Sequence, residues 1–261
     1  MGNAVMLDID GVLIVSWKPL PGAVETVEWL LGHDIPFRLV TNTSSQTRGQ
    51  IAQRLSEAGF RVGVDHVLTA VTSAARYLAE HHPGARCLVV NEGDLSEDLE
   101  GVELAGADSA DVVLLGGAGP AVGYAELDAA FKLALDGVPV VALHRNTRFQ
   151  TVQGPALDMG AFVVGLEAAA GIEIVVVGKP AAAFFEGALA DLGVSAEGTV
   201  MVGDDLVSDV LGAQAVGMTG VLVRTGKFRP SDLDGAPGRP DRVIDDIGRF
   251  PELFEQLARA R

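Results

Sequence analysis

The chain alternates short apolar runs with stretches whose apolar residues recur at helical spacing. Residues 4–9 read as a buried strand, an unbroken apolar run apart from Asp8. Residues 22–31 follow Pro21 and set Val24, Val27 and Leu31 at helical spacing, which predicts a helix. Residues 37–40 predict a second strand. Residues 47–58 predict a helix with Ile51 and Leu55 on one face, stopped at Gly59. Further strands are expected at 67–69, 174–177, 200–202 and 221–223, and further helices at 182–191, 208–215 and 250–260. Strand and helix in alternation predict a parallel sheet covered on both faces.

The middle of the chain repeats this pattern on its own. It has strands at 87–90, 112–115 and 138–142 and a helix at 124–135. The expectation is an α/β core carrying a second α/β unit as an insert. The core takes residues 1–83 and 174–261, and the insert takes 84–173. The stretch 231–240, rich in Pro, Gly and Asp, predicts a surface loop.

Composition narrows the function classes. Hydrophobic residues make up 48% of 261, which excludes a disordered chain and is enough for a large core. Aromatic residues are 5%, so Val, Leu, Ile and Ala must fill that core. The net charge of -16 argues against nucleic acid and anionic membranes, which need clustered Lys and Arg. An anionic substrate would need a local reversal of that field. Cys87 is the only cysteine, so no intramolecular disulfide forms; it reads as a small core residue, and the chain as cytoplasmic. The apolar start carries Asp8 and Asp10, unlike a signal peptide, and Met6 stands where myristoylation requires Ser or Thr. No apolar run is long enough to span a bilayer.

Candidate chemistry appears where four predicted strands end. They run into Asp8-Ile9-Asp10-Gly11, Thr41-Asn42-Thr43, Gly178-Lys179-Pro180 and Gly203-Asp204-Asp205. An open parallel sheet binds ligands outside the carboxyl ends of its strands, so these groups should converge. Asp8 and Asp10, two apart, should leave the same side of an extended strand. Two carboxylates at about 4 Å repel by about 4 kcal/mol at an effective dielectric near 20. Asp204, Asp205 and Asp209 add to the crowd, so protons or a cation must compensate. Clustered oxygen ligands suit Mg²⁺. With Lys179 it would supply the positive field the acidic surface lacks. Thr41 adds a hydroxyl donor, and backbone N–H groups after Asp8 and Thr41 can cradle phosphate oxygens. Asp8 then serves as the nucleophile and becomes an aspartyl-phosphate. Asp10 serves as acid to the leaving group and base to water. Each motif alone has an ordinary explanation as a turn, a cap or a loop; their order at successive strand ends does not.

These motifs resemble the haloacid dehalogenase superfamily, in its NagD-like branch with a large α/β cap. Within that branch the chain is similar to the phospholysine phosphohistidine inorganic pyrophosphate phosphatase group. The resemblance rests on Asp8-Ile9-Asp10-Gly11-Val12-Leu13, Thr41-Asn42-Thr43-Ser44-Ser45, Val177-Gly178-Lys179-Pro180 and Gly203-Asp204-Asp205-Leu206. The segment from Val223 to Asp232 is a marker of the subgroup. The resemblance implies a Rossmann-like core and Mg²⁺ held by Asp8, the backbone carbonyl of Asp10, and Asp204. It implies Asp209, with Asp205 beside it, as support for the metal site, Asn42 as a substrate contact, and often a homodimer through the cap. Two departures bear on substrate. Leu143-His144-Arg145-Asn146-Thr147 stands where many such caps carry Thr-Asn-x-Asp. Arg148-Phe149-Gln150-Thr151 replaces a more aromatic, lysine-containing stretch. Arg145 and Arg148 are the cap's candidates for a substrate anion, with plain surface positions as the alternative.

The leading expectation is a phosphatase acting on a small phosphorylated compound, a phosphomonoester, phosphoramide or pyrophosphate. The alternatives are a phosphotransferase or mutase with the same intermediate, a dehalogenase, and a non-catalytic phospho-ligand module. Gly116-Gly117-Ala118-Gly119 invites a dinucleotide-binding reading, but Pro120 interrupts it and a loop of the insert is expected instead. His81-His82 has no partner cluster and reads as a solvated helix end, and Trp17 as loop packing.

Overall fold

The computed structural model describes residues 4–151 and 154–259. Met1 and Gly2, and the expected helix end at Ala260, lie outside them. The chain divides into two compact units. The first comprises Met1–Thr41, Arg48–Leu68 and Lys179–Arg261, and the second Asn42–Thr47 and Thr69–Gly178. The second unit is thus wider than the expected 84–173.

The first unit is built on a six-stranded sheet. Its spatial order is Arg242–Ile244, Thr219–Val223, Thr199–Gly203, Ala4–Asp8, Phe37–Thr41, Val67–Thr69. The four pairings from Arg242–Ile244 through Phe37–Thr41 are parallel. Alternate residues of each strand enter opposite cores, as the pleat requires. Val5, Leu7, Leu39, Val200 and Val202 face the helices Ala23–Gly32, Arg48–Glu57 and Phe250–Arg259, meeting Val27, Leu30, Ile51, Leu55 and Phe254. Met6, Val40 and Met201 face Phe184, Phe185 and Ala188 of Ala182–Leu192. Apolar contact on both faces explains why Ala4–Asp8 shows no polar alternation.

The order places the first strand at the centre. The chain builds outward on one side through Phe37–Thr41 and Val67–Thr69, then on the other through Thr199–Gly203, Thr219–Val223 and Arg242–Ile244. The direction reverses between Ala4–Asp8 and Thr199–Gly203, and such a point opens a crevice at the carboxyl ends of the two strands.

The second unit has its own parallel sheet, in the order Val175–Val176, Val140–Ala142, Val112–Leu115, Arg86–Val90, Glu103–Leu104. Helix Ala70–His81 covers one face and packs Val71, Ala74 and Leu78 on Cys87, Leu114 and Val141. Helices Tyr124–Leu135 and Met159–Ala170 cover the other, with Ala130, Ala134 and Val163 against Val113, Leu115 and Val140. Cys87 is buried, and burial pushes its thiol up to about 11.

Two expectations change. The strand predicted at 174–177 joins this second sheet, as Val175–Val176 paired with Val140–Ala142, and not the core sheet. The helix predicted at 208–215 begins as a wide turn, Leu206–Leu211, and becomes α-helical only over Gly212–Ala215. Among the described residues no helix is long and apolar enough to cross a membrane.

Candidate active site

Asp8 ends the central strand and is buried. Asp204 follows the neighbouring strand Thr199–Gly203 and is buried as well. The two carboxylates therefore meet at the reversal point because adjacent parallel strands deliver them there. Asp209 reaches the same place from the wide turn after Asp205, whose carboxylate accepts from Val207 N at 3.1 Å and Ser208 N at 2.9 Å. Gly203 allows the approach: a Cβ there would lie 2.2 Å from the Asp209 Cβ.

Lys179 binds this group together. Its buried ammonium donates to Asp8 Oδ1 at 2.5 Å and to Asp209 Oδ1 at 2.7 Å. It enters the first unit directly after a strand of the second sheet, so its arrival does not depend on a core strand of its own. Asp209 Oδ2 accepts from Asp205 N at 3.2 Å. Thr41 is buried at the end of Phe37–Thr41, one residue beyond the Asp8–Val40 pairing.

Asp10 departs from the sequence expectation. The strand stops at Asp8, and Asp10 lies in the following turn, bridged to Ile14, with an exposed side chain. It is still near enough for its charge to act on Asp8.

Asp204 is held on one oxygen only. Lys227 N donates to its Oδ2 at 2.6 Å, while Oδ1 is buried without a hydrogen-bond partner among the described residues. Oxygens of Asp8, Asp204 and Asp209 all lie within 4.8 Å of one another. Three buried carboxylates face one buried ammonium, so the set lacks positive charge. A hard divalent cation fits both the orphaned oxygen and the charge deficit.

The deficit shows in the protonation equilibria. Burial pushes Asp204 up to about 8, aided by the charges of Asp8 and Asp209 and opposed by Lys227. Burial pushes Asp209 up to about 6 against the pull of Lys179. Burial also raises Asp8, with Lys179 and Lys227 opposing and Asp10 adding to the rise. For Lys179, burial alone would lower the pKa, but Asp209 and Asp8 outweigh it and hold the ammonium charged. A carboxyl with a raised folded pKa stays neutral in the fold while its unfolded counterpart ionises. Stability from such a group is present below about pH 4 and is lost progressively as pH climbs. For Asp204 the loss continues to about 8. In chelator, the melting temperature of wild type should therefore fall between about pH 6 and about pH 8, and that of Asp204→Asn should fall less. Equal falls by differential scanning fluorimetry would contradict this.

Lys227 was not among the sequence candidates. Loss of hydration alone would lower its pKa, but Asp8, Asp204 and Asp209 keep it raised. Its only sequence signal was its place in the Val223–Asp232 segment. Asn42, Arg145 and Arg148 fall in the second unit. Asn42 Oδ1 lies where a Cβ on Gly178 would come within 2.7 Å. Arg145 pairs with Glu167, and Arg148 is exposed on the strand Arg148–Thr151. In the Gly116–Gly119 segment Gly117 N is taken by Asn91 Oδ1 at 2.6 Å, and just beyond it Ala121 N is taken by Glu92 Oε2 at 2.7 Å. Neither of these N–H groups is open to a phosphate. His81 stacks on Tyr77 near the end of its helix, and Trp17 packs under Arg54.

A family model for haloacid dehalogenase-like hydrolases matches residues 5–105, and a related hydrolase-like model matches 176–250. Haloacid dehalogenase-like hydrolase domain-containing protein 2 of Homo sapiens is 38% identical over 255 residues, covering 98% of this chain and 95% of its own. The chain belongs to the haloacid dehalogenase-like hydrolases. The hydrolase is also 35% identical over 251 residues to phospholysine phosphohistidine inorganic pyrophosphate phosphatase of Danio rerio, covering 94% of this chain and 91% of that one. Among solved structures, p-nitrophenyl phosphatase from Archaeoglobus fulgidus superposes with a TM-score of 0.90 at 30% identity, covering 97% of this chain and 100% of its own. NagD from E. coli K-12 superposes with a TM-score of 0.86 at 28% identity, covering 95% and 98%. The NagD-like resemblance and the Rossmann-like α/β expectation are both borne out.

Proposed function

We propose that this hydrolase is a magnesium-dependent phosphatase that cleaves a small phosphorylated compound through an aspartyl-phosphate on Asp8. The observation that carries the reading is the buried Asp8 carboxylate, held by Lys179 at 2.5 Å beside the orphaned Asp204 Oδ1. The relatives support the phosphoryl chemistry by their names.

Asp8 and Asp204 would hold the ion with the backbone carbonyl of Asp10, and when bound it keeps the carboxylates ionised and offsets charge on phosphoryl oxygens. Lys179 fixes Asp8 through Oδ1 and adds positive charge where the phosphoryl group sits. Thr41 contributes a hydroxyl donor at the end of the adjacent strand. An ionised oxygen of Asp8 attacks phosphorus, the bond from phosphorus to the leaving group breaks, and Asp10 gives that group its proton. Water then attacks the phosphorus of the aspartyl-phosphate, Asp10 takes the water's proton, and the bond from phosphorus to the Asp8 oxygen breaks. The exposure of Asp10 suits a group that must exchange protons with a leaving group and with water.

The test is release of inorganic phosphate by the purified chain from a phosphomonoester, pyrophosphate and an N-phosphorylated amine. Turnover of at least one class with Mg²⁺, lost in chelator and restored by Mg²⁺, is the expected outcome. No release from any class with Mg²⁺ present would overturn the reading.

A further inference from the structure

Three consecutive residues after the strand Thr219–Val223 grip both arms of the site. Thr225 Oγ1 donates to Gly11 O at 2.6 Å. Lys227 N donates to Asp204 Oδ2 at 2.6 Å. Gly226 sits between them at φ 62°, where a Cβ would lie 2.0 Å from Asp204 Oδ2 and 2.5 Å from Gly11 Cα. Gly11, at φ 90°, meets the same constraint: a Cβ there would also lie 2.0 Å from Asp204 Oδ2. The contact is thus glycine against glycine, with one carboxylate oxygen wedged beside it.

The geometry has a direction. Gly11 is pinned on both sides, since its N–H donates to Ile14 O at 2.8 Å while its carbonyl accepts from Thr225. Its N–H lies in the same planar peptide as the Asp10 carbonyl, so the Ile14 bond aims that carbonyl, while Thr225 holds the next peptide, at the Gly11 carbonyl. On the other arm, tying Oδ2 of Asp204 leaves Oδ1 as the oxygen without a partner among the described residues.

We propose that Thr225, with the Gly226–Lys227 backbone, is a positioning element that sets the affinity of the site for its divalent cation. It does so by fixing the Asp204 carboxylate and Gly11, the residue next to the Asp10 carbonyl, relative to each other. The proposal rests on the reading of the site as an ion-dependent phosphatase. Mg²⁺ demands near-ideal octahedral geometry, so a small loss of alignment is costly. Groups that orient metal ligands typically change affinity by about 10- to 100-fold when removed. Thr225 is such a group at one remove, because its hydroxyl bonds the Gly11 carbonyl and not one of the carboxylates.

Thr225→Val keeps the shape of the side chain and removes the donor. Thr225→Ser keeps the donor and removes the methyl. Mg²⁺ binding to each is measured by isothermal titration calorimetry without substrate, and turnover is measured against Mg²⁺ concentration. Thr225→Val should bind Mg²⁺ about 10- to 100-fold more weakly, with turnover recovering at saturating ion. Thr225→Ser should restore the wild-type affinity. If Thr225→Val does not fold, Thr225→Ala takes its place with the same expectation. Wild-type affinity in the donor-less variant overturns the proposal, and so does an equal loss in Thr225→Val and Thr225→Ser. Wild type that binds no Mg²⁺ overturns the phosphatase reading itself, and this proposal with it.

Discussion

Asp8→Asn is expected to reduce phosphate release by roughly 10³-fold or more while leaving the protein folded. The amide matches the carboxylate in shape, so the packing at the end of Ala4–Asp8 is undisturbed. It cannot supply the ionised oxygen that attacks phosphorus. Stability should not suffer, because the buried charge at position 8 carries a desolvation cost and faces Asp204 and Asp209. Lys179 keeps Asp209 as its partner at 2.7 Å. In chelator the variant should melt at or above the wild-type temperature. Phosphate release and a circular dichroism melt check both halves. Full activity in this variant would remove Asp8 from the mechanism.

Lys179→Met should do the opposite to the fold. It removes the ammonium that hydrogen-bonds both Asp8 and Asp209 and leaves two buried carboxylates without it. Removing one partner of a buried ion pair typically costs about 3–5 kcal/mol. Activity should fall as well, by about 10²-fold or more, since a charge aimed at the phosphoryl group is lost. The loss of stability should shrink as pH falls, because Asp8 and Asp209 then take up protons and need no counter-ion. Combining it with Asp8→Asn should recover part of the stability, since one of the two stranded charges is gone. Urea denaturation in chelator measures all three. An unchanged midpoint in Lys179→Met would mean that the ion pair contributes nothing to the fold.

How far the sequence reaches can be judged from these same residues. Asp8 and Asp204 were legible because apolar strands ending in acids obey a general rule of parallel sheets, and the strand order puts their two strands side by side. Lys179 was legible as a residue but not as a position. An apolar run at 174–177 marks a strand without saying which of two sheets it joins, and Val175–Val176 joined the second. Helix Ala70–His81 was legible only at its His81-His82 end, and its start is set by the reciprocal cap of Thr69 and Thr72. Thr225, Gly226 and Lys227 act on the site through a hydroxyl, a missing Cβ and a backbone N–H. Only three-dimensional proximity reveals groups of that kind, since a backbone N–H carries no residue signature.

The central place of Ala4–Asp8 bears on how the molecule is made. Its flank against Phe37–Thr41 can close early in synthesis, but its other neighbour is Thr199–Gly203, and Ala4 pairs with Thr199. A nascent chain must therefore finish residues 69–178 before that flank is covered. Until then the strand carrying Asp8 presents an unpaired apolar edge, a template for pairing with other chains. Pairing across such a separation is intrinsically slow. Fragments ending before Thr199 should thus be aggregation-prone as well as inactive, since they lack Asp204 and the strand that closes the edge.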